Sequence, residues 1–286
     1  MLNPFTLETP GKINLFLEIK GKRADSWHEL LTLFYPVRRL FDRVELSFGG
    51  NGIQVECSLP GIPVNEENLA GKAAAAFFAA AGKPCPGMTI RLEKHLPAAG
   101  GMGGGSSDAG AVLRLLQMYS GICLTSERLA ETALSIGSDV PFFLNPEPAV
   151  GRGRGEILTP VELPENLPLL LIPGCFPISA AWGYRHWKDV EQTRCSNLDD
   201  LLKTLASGDF AGAGMLLRND LEPAALRKFP LLKRFSELLR ESGGAPLMSG
   251  SGSTMFALYP DFVRRDQAFE FLSAELKKYD AVLIKP

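Results

Sequence analysis

The chain has 286 residues, 45% of them hydrophobic and 22% charged, with a net charge of −2. That is enough for a substantial core in one large domain or two joined ones. The balance offers no basic track for nucleic acid and no cationic face for an anionic membrane, and no apolar run reaches the ~18 residues that suggest a bilayer span. Five separated cysteines (Cys57, Cys85, Cys123, Cys175, Cys195) form no C-x-x-C pair, and only three histidines accompany them. A zinc site is therefore not expected, and reduced thiols in the cytoplasm are. No basic segment precedes a continuous apolar run at the N-terminus, so no signal peptide is expected.

In chain order, residues 14–19 form an apolar strand entered by Lys12 and Asn14. A polar loop, 21–30, carries Trp27 and His28 side by side. Strands are expected at 31–37 and 43–48, with GGNG at 49–52 as a hairpin turn and 53–57 as the return strand. The first sixty residues thus read as mostly antiparallel sheet. An alanine-rich helix is expected over 68–81, stopped by Gly82 and Pro84. A strand at 88–92 leads into a glycine-rich stretch, and a helix over 111–119 leads out. Thr125 or Ser126 caps the next helix, 127–136, which ends at Gly137. A second glycine-rich stretch, 150–158, carries Arg152 and Arg154. Prolines cluster at 159–168 and mark a domain boundary, dividing the chain into 1–160 and 161–286. Beyond it lie a buried strand (169–172), helices at 197–205, 210–218 and 230–241, and a strand–turn–strand over 245–259. A final helix, 265–278, leads to a terminal strand at 281–284. Strands and helices mix without strict alternation, so the fold class is α+β.

Residues 96–110 read LPAAGGMGGGSSDAG, six glycines in fifteen positions with no Lys or Arg. Glycines let backbone amides approach an anion closely, and a helix N-terminus adds unpaired N–H groups and a favourable dipole. Ser106 and Ser107 add hydroxyl donors, and Ser107 or Asp108 is a candidate helix cap. The expected guest is a phosphate chain. The P-loop does not fit, because Gly105 is followed by Ser106 and Ser107, and G-x-G-x-x-G fails because Gly101 and Gly103 are followed by Ser106. Cationic help must come from Mg²⁺ or from elsewhere in the chain. Asp139, in the apolar run GSDVPFFL, is a candidate base or the cap of the turn after Gly137. Lys12 is a candidate cation or an ordinary snorkelling lysine. The Trp27–His28 pair either receives a planar heteroaromatic ligand or plugs its loop onto the core. SGSGST, 249–254, is a second amide cluster or simply a hairpin turn.

Four segments, PGKINLFLEIKGKRADSWHEL, LPAAGGMGGGSSDAG, GSDVPFFL and LMSGSGSTMFALY, in this order resemble the motifs of the GHMP kinases. Within that superfamily the N-terminal block is similar to the 4-diphosphocytidyl-2-C-methyl-D-erythritol kinases, P-A-K-[IL]-N-L-F-L then G-x-R-x-D-G-[YF]-H-x-L. Pro10, Lys12, Ile13, Asn14, Leu15, Phe16, Leu17, Arg23, Asp25, His28 and Leu30 match. Gly11 and Gly110 stand where those kinases usually have Ala, and Ser26–Trp27 replaces Gly–Tyr. Gly110 is expected to weaken the first helical turn slightly.

The resemblance implies a two-domain fold with the active site in the cleft between domains. The N-terminal domain binds ATP, and the C-terminal one lies on the substrate side. It implies an ATP-dependent kinase that phosphorylates the 2-hydroxyl of 4-diphosphocytidyl-2-C-methyl-D-erythritol in the non-mevalonate isoprenoid route. Lys12 and Asp139 are then catalytic. Pro97, Ala98, Ala99, Gly100, Gly101, Met102, Gly103, Gly104, Gly105, Ser106 and Ser107 hold ATP. Asn14, Trp27, His28, Tyr184, Gly250, Ser251, Gly252 and Ser253 face the cytidine substrate. Mg²⁺ is implied, with ligands that no motif places. The partners are small molecules, and the chain is a monomer or homodimer. Rival readings are another GHMP kinase with a different alcohol, and a nucleotide-binding relative without catalysis.

Overall fold

Two long strands open the chain, β1 (Phe5–Lys22) and β2 (His28–Phe48). In order follow β3 (Ile53–Cys57), α1 (Leu69–Ala80), β4 (Met88–Glu93), α2 (Gly104–Tyr119), α3 (Ser126–Ile136) and a 3-10 turn (Val140–Leu144). Next come β5 (Ala149–Gly153), β6 (Ile157–Pro160), β7 (Leu169–Ile172), α4 (Ala180–His186), α5 (Leu198–Ala206) and α6 (Phe210–Leu216). The remainder is β8 (Arg218–Asn219), α7 (Glu222–Lys228), α8 (Pro230–Glu241), β9 (Ala245–Met248), β10 (Met255–Leu258) and α9 (Phe262–Leu276). The structure is a computed structural model that describes residues 5–65, 67–97, 100–190 and 196–286.

The elements gather into two units, each discontinuous in sequence. Unit 1 comprises Met1–Gly11, Pro36–Ala98 and Gly103–Glu147, and unit 2 comprises Lys12–Tyr35, Ala99–Met102 and Pro148–Pro286. This grouping divides the chain elsewhere than at the prolines of 159–168. An 18-residue strand runs roughly 60 Å at ~3.3 Å per residue, so β1 and β2 each serve both units. Composition shifts cannot mark a boundary that falls inside a strand.

In unit 1 the end of β2 pairs antiparallel with β4 (Val44↔Leu92, Leu46↔Ile90), and β4 pairs parallel with β3 (Val55↔Ile90). The GGNG turn therefore does not close the expected hairpin. β4 takes the place beside β2, and α1 forms the crossover that a parallel pair requires. Arg91 on the middle strand reaches Glu45 at 3.0 Å and Glu56 at 2.7 Å on either side, complementary pairs that suit this order. The opposite face, with Val44, Leu46, Ile90 and Leu92, shares a core with Phe77 of α1 and with Val112 and Leu115 of α2. Asn68 caps α1 by accepting from Ala70 N at 2.9 Å, and Thr125 caps α3 through Arg128 N at 3.2 Å.

In unit 2, β1 runs parallel to β8 (Phe16↔Arg218, Leu17↔Asn219), and β2 pairs antiparallel with β5, which pairs with β6. A separate antiparallel sheet has the order β7–β10–β9. Leu170, Ile172, Met255 and Tyr259 bury against Phe235 and Leu239 of α8 and Leu272 of α9. Two expected elements change here. The helix at 210–218 stops at Leu216, and Arg218–Asn219 become β8. Residues 281–284 do not form a strand and contribute one bridge, Ile284 to Leu171.

Candidate active site

Helix α2 starts at Gly104, seven residues before its apolar periodicity becomes visible. Gly103 stands just before it at φ 73, in the left-handed region that glycine tolerates. Ser107 N donates to Gly103 O at 2.8 Å. The N–H groups of Gly104, Gly105 and Ser106 therefore have no partner within the helix, the arrangement that attracts anions. Neither expected side-chain cap forms. Ser107 is fully buried: its Oγ donates to Pro10 O at 2.7 Å, leaving Thr9 Oγ1, also 2.7 Å away, to donate to it. So Ser107 is no hydroxyl donor to a phosphate, whereas Ser106 is half-exposed. Pro97 O lies 3.2 Å from where a Cβ on Gly104 would stand, close packing that glycine permits. Ala98 and Ala99 lie outside the described residues.

Asp108, the other expected cap, sits inside α2, and its Oδ2 accepts from Lys94 Nζ at 2.6 Å. The same ammonium is bound by Asp42 Oδ2. Asp42 Oδ1 also accepts from His95 N at 2.6 Å and Leu96 N at 2.7 Å. The three side chains are almost wholly removed from water. Burial pushes the Asp108 carboxyl up to about 7, against the pull of Lys94. Burial also opposes the Lys94 ammonium, but Asp108 and Asp42 together hold its pKa above the usual lysine value. Sequence reasoning missed this cluster. Its one signal was a lysine just before Leu96–Pro97, in a phosphate loop that lacks a lysine of its own.

Asp139 is half-buried and precedes the 3-10 turn. Its side chain makes no capping bond to that turn, so the capping alternative is not realised. Val140, Pro141, Phe142 and Phe143 behind it are buried.

In unit 2, Lys12 is only 3% exposed, so it does not snorkel. Its Nζ donates to Asn14 Oδ1 at 2.7 Å and lies 5.4 Å from the Phe34 ring centroid. Asn14 Nδ2 donates to Thr32 Oγ1 at 2.8 Å, and Thr32 donates onward to Phe16 O at 2.7 Å. This relay turns the amide oxygen of Asn14 toward the ammonium. The SGSGST segment is both a hairpin turn and a backbone cluster. It joins β9 to β10. Ser249 Oγ donates to Gly101 O at 2.9 Å and Thr254 N to Gly100 O at 3.0 Å. Lys12 N donates to Met102 O at 2.9 Å. A Cβ on Gly250 would stand 3.4 Å from Lys12 Nζ and 3.3 Å from Asn14 Oδ1. Lys12, Asn14, Gly101 and Gly250 thus converge. Ser251 is half-exposed, Gly252 is buried, and the Ser253 hydroxyl is taken by Phe176 O. Two residues absent from the sequence reading hold the turn: Asn219 donates to Met248 O (2.7 Å) and Gly250 O (2.8 Å), and Glu222 accepts from Met248 N (2.9 Å).

The expected ligand-reading residues also meet. Trp27, His28 and Tyr184 line a cavity of about 770 Å³ with Lys22, Arg185 and Lys188. His28 and Tyr184 stack on each other, centroids 5.0 Å apart and planes at 15°. A ring inserted between them needs about 7 Å, twice the ~3.5 Å carbon contact distance, so these two rings must part to hold one. Trp27 is 51% exposed and carries the Arg154 guanidinium at 4.5 Å, so it does not plug its loop onto the core. Burial, then Lys22 and Lys188, holds His28 below the usual imidazole range.

The chain matches the GHMP kinases N terminal domain over residues 68–146 and the GHMP kinases C terminal domain over 201–278. It is 39% identical over 268 residues to the 4-diphosphocytidyl-2-C-methyl-D-erythritol kinase of Syntrophotalea carbinolica, covering 93% of each chain. The chain belongs to the 4-diphosphocytidyl-2-C-methyl-D-erythritol kinase family. A crystal structure of 4-(cytidine 5'-diphospho)-2C-methyl-D-erythritol kinase aligns with TM-score 0.78 and 36% identity, over 94% of this chain and 96% of that one. The fold is shared more widely: L. major mevalonate kinase in complex with R-mevalonate aligns with TM-score 0.72 at 18% identity, over 100% of this chain and 99% of that one.

Proposed function

We propose that this kinase transfers the terminal phosphoryl group of ATP to the 2-hydroxyl of 4-diphosphocytidyl-2-C-methyl-D-erythritol, giving the 2-phosphate and ADP. The step belongs to isoprenoid precursor biosynthesis. The observation that carries it is the likeness to such kinases along 93% of the chain. The His28–Tyr184 cavity supplies a place for a nucleobase.

Phosphoryl transfer asks mainly for positioning and charge neutralisation. The N–H groups at Gly104, Gly105 and Ser106 suit the phosphates of ATP, and Gly100–Met102, whose carbonyls accept from Thr254 N, Ser249 Oγ and Lys12 N, are assigned to them as well. Asp139 is assigned as the base that accepts the hydroxyl proton, and Lys12 as the cation that steadies the developing alkoxide. Buried Lys12, held by Asn14 beside Gly250, is a fixed charge that needs no reorganisation during the reaction. His28 and Tyr184 grip the cytosine, with Trp27 at the rim. Among the described residues no group of three His, Cys, Asp or Glu converges on a metal position. Mg²⁺ would come with the nucleotide, whose phosphates supply its oxygen ligands. Among the described residues no helix is long and apolar enough to cross a membrane. The unpaired cysteines Cys57, Cys85, Cys123 and Cys175 support a cytoplasmic setting.

The test is incubation with Mg-ATP and the cytidine-linked methylerythritol, read by phosphorus NMR. A new phosphomonoester resonance and stoichiometric ADP are expected. ADP formation with mevalonate or homoserine instead, and none with the cytidine substrate, would reassign the acceptor. Binding of both ligands with no ADP would leave a sensor.

A further inference from the structure

The phosphate loop has no lysine of its own, yet a lysine lies directly behind it. The position of a Cβ on Gly104 is 3.6 Å from Lys94 Nζ, so the buried ammonium packs against the first turn of α2. Two carboxylates flank that ammonium, and they are not equivalent. Asp42 accepts three hydrogen bonds, from Lys94 Nζ, His95 N and Leu96 N. Asp108 accepts one, from Lys94, and its Oδ1 is buried without a partner. With both carboxylates ionised, the cluster carries a net −1 in a water-free place. A proton on Asp108 neutralises it, and Asp108 then titrates close to pH 7.

We propose that Lys94, clamped between Asp42 and Asp108, is a positioning residue for the glycine-rich loop, and that the proton carried by this cluster sets how tightly the loop holds ATP. With the proton on, the cluster is neutral and the helix N-terminus acts on the phosphates unopposed. With the proton off, an uncompensated negative charge sits one packing layer behind the site that must accept a polyanion. The cluster also fixes geometry. Asp42 grips the backbone of His95 and Leu96 while Lys94 ties both to Asp108 on α2, so the approach to the loop and the helix it opens are locked together. Of the elements in contact with α2, α1 carries Lys72, α3 carries Glu127, Arg128 and Glu131, and Asp139 precedes the 3-10 turn; β1, bonded to α2 through Thr9 and Ser107, carries Glu8, and α2 itself carries Arg114. The charges that move Asp108 are Lys94 and Asp42.

This inference rests on the assignment of ATP to the glycine-rich loop, and calorimetric titration of Mg-ATP without acceptor separates the two. For the wild-type chain, the ATP dissociation constant is expected to rise between pH 6 and pH 8 relative to Asp108→Asn by about 3- to 10-fold, the scale of one unit charge at an effective dielectric near 20. Asp108→Asn keeps an oxygen for Lys94 but cannot ionise, and the titration of ATP itself is common to both proteins. In turnover assays the difference is expected in KM for ATP, with kcat changed less than about twofold, far below the 10²-fold or greater loss of an acid–base group. Lys94→Met is expected to weaken ATP at every pH, and thermal unfolding confirms that each variant is folded. Parallel pH profiles for wild type and Asp108→Asn overturn the inference and leave the ATP assignment standing. ATP that fails to bind the wild-type chain at any pH removes both.

Discussion

At the scale of single residues, the site depends on side chains fixed before any ligand arrives. Lys12 is buried and bonded to an amide that is itself oriented by Thr32. Asp139 makes no capping bond to the turn behind it. With Asp139 proposed as the base, Asp139→Asn is expected to lower kcat by roughly 10²–10⁴-fold, the usual span for a general base, with little change in ATP affinity. Turnover near the wild-type level would take the base role from Asp139. His28 gives a second expectation. Its pKa is lowered by burial, Lys22 and Lys188, so the imidazole is neutral at pH 7. As pH falls through that lowered value the ring gains a proton, loses its acceptor nitrogen and joins two like charges. KM for the cytidine substrate is expected to rise between pH 7 and pH 5 in wild type and to stay flat in His28→Asn. The same rise in both would assign it to another group.

At the scale of elements, α2 departs from its sequence reading in an instructive way. Its apolar periodicity emerges only at Ala111, because GGSSDAG offers no large apolar residue to count, yet the helix begins at Gly104. Gly110 is thus not in the first turn, and its lack of a side chain is no weakness. A Cβ there would lie 2.5 Å from Cβ of Phe143 in the 3-10 turn. Gly110→Ala, which raises helix propensity, is expected to destabilise the protein by about 1–3 kcal/mol through overpacking. Urea unfolding measures this, and an unchanged or higher midpoint would show that Phe143 yields. The same contrast explains what was legible elsewhere. Alternation and cap residues placed β4, α1, α3 and α8, because those signals are local. The partner of β3 is β4 rather than β2, a non-local choice that the GGNG turn concealed. Lys12, Asn14 and His28 became candidates through the resemblance of their segment to a known family. Asp42, Lys94, Asp108 and Asn219 did not, since each works through contacts with residues distant in sequence.

At the scale of the whole chain, neither unit is a continuous segment. Unit 2 needs Lys12–Tyr35: Phe16 and Leu17 pair with β8, Ile19 N donates to Asp220 at 2.8 Å, and Leu17 and Ile19 belong to the core of Leu170 and Phe235. Residues 161–286 expressed alone are therefore expected to lack a cooperative transition in urea, followed by circular dichroism. A single sharp transition in that fragment would mean that the second half folds without β1.

The bond from Ile19 to Asp220 joins residues 201 positions apart. A ribosome adding about 5–20 residues per second needs roughly 10–40 s between making the one and the other. Through that interval the edge of β1 that pairs with β8 has unpaired backbone N–H and C=O groups, because β8 does not yet exist to cover it. Synthesis of this enzyme thus has a built-in waiting period, in which the strand bearing Lys12 and Asn14 is open to chaperones and to aggregation.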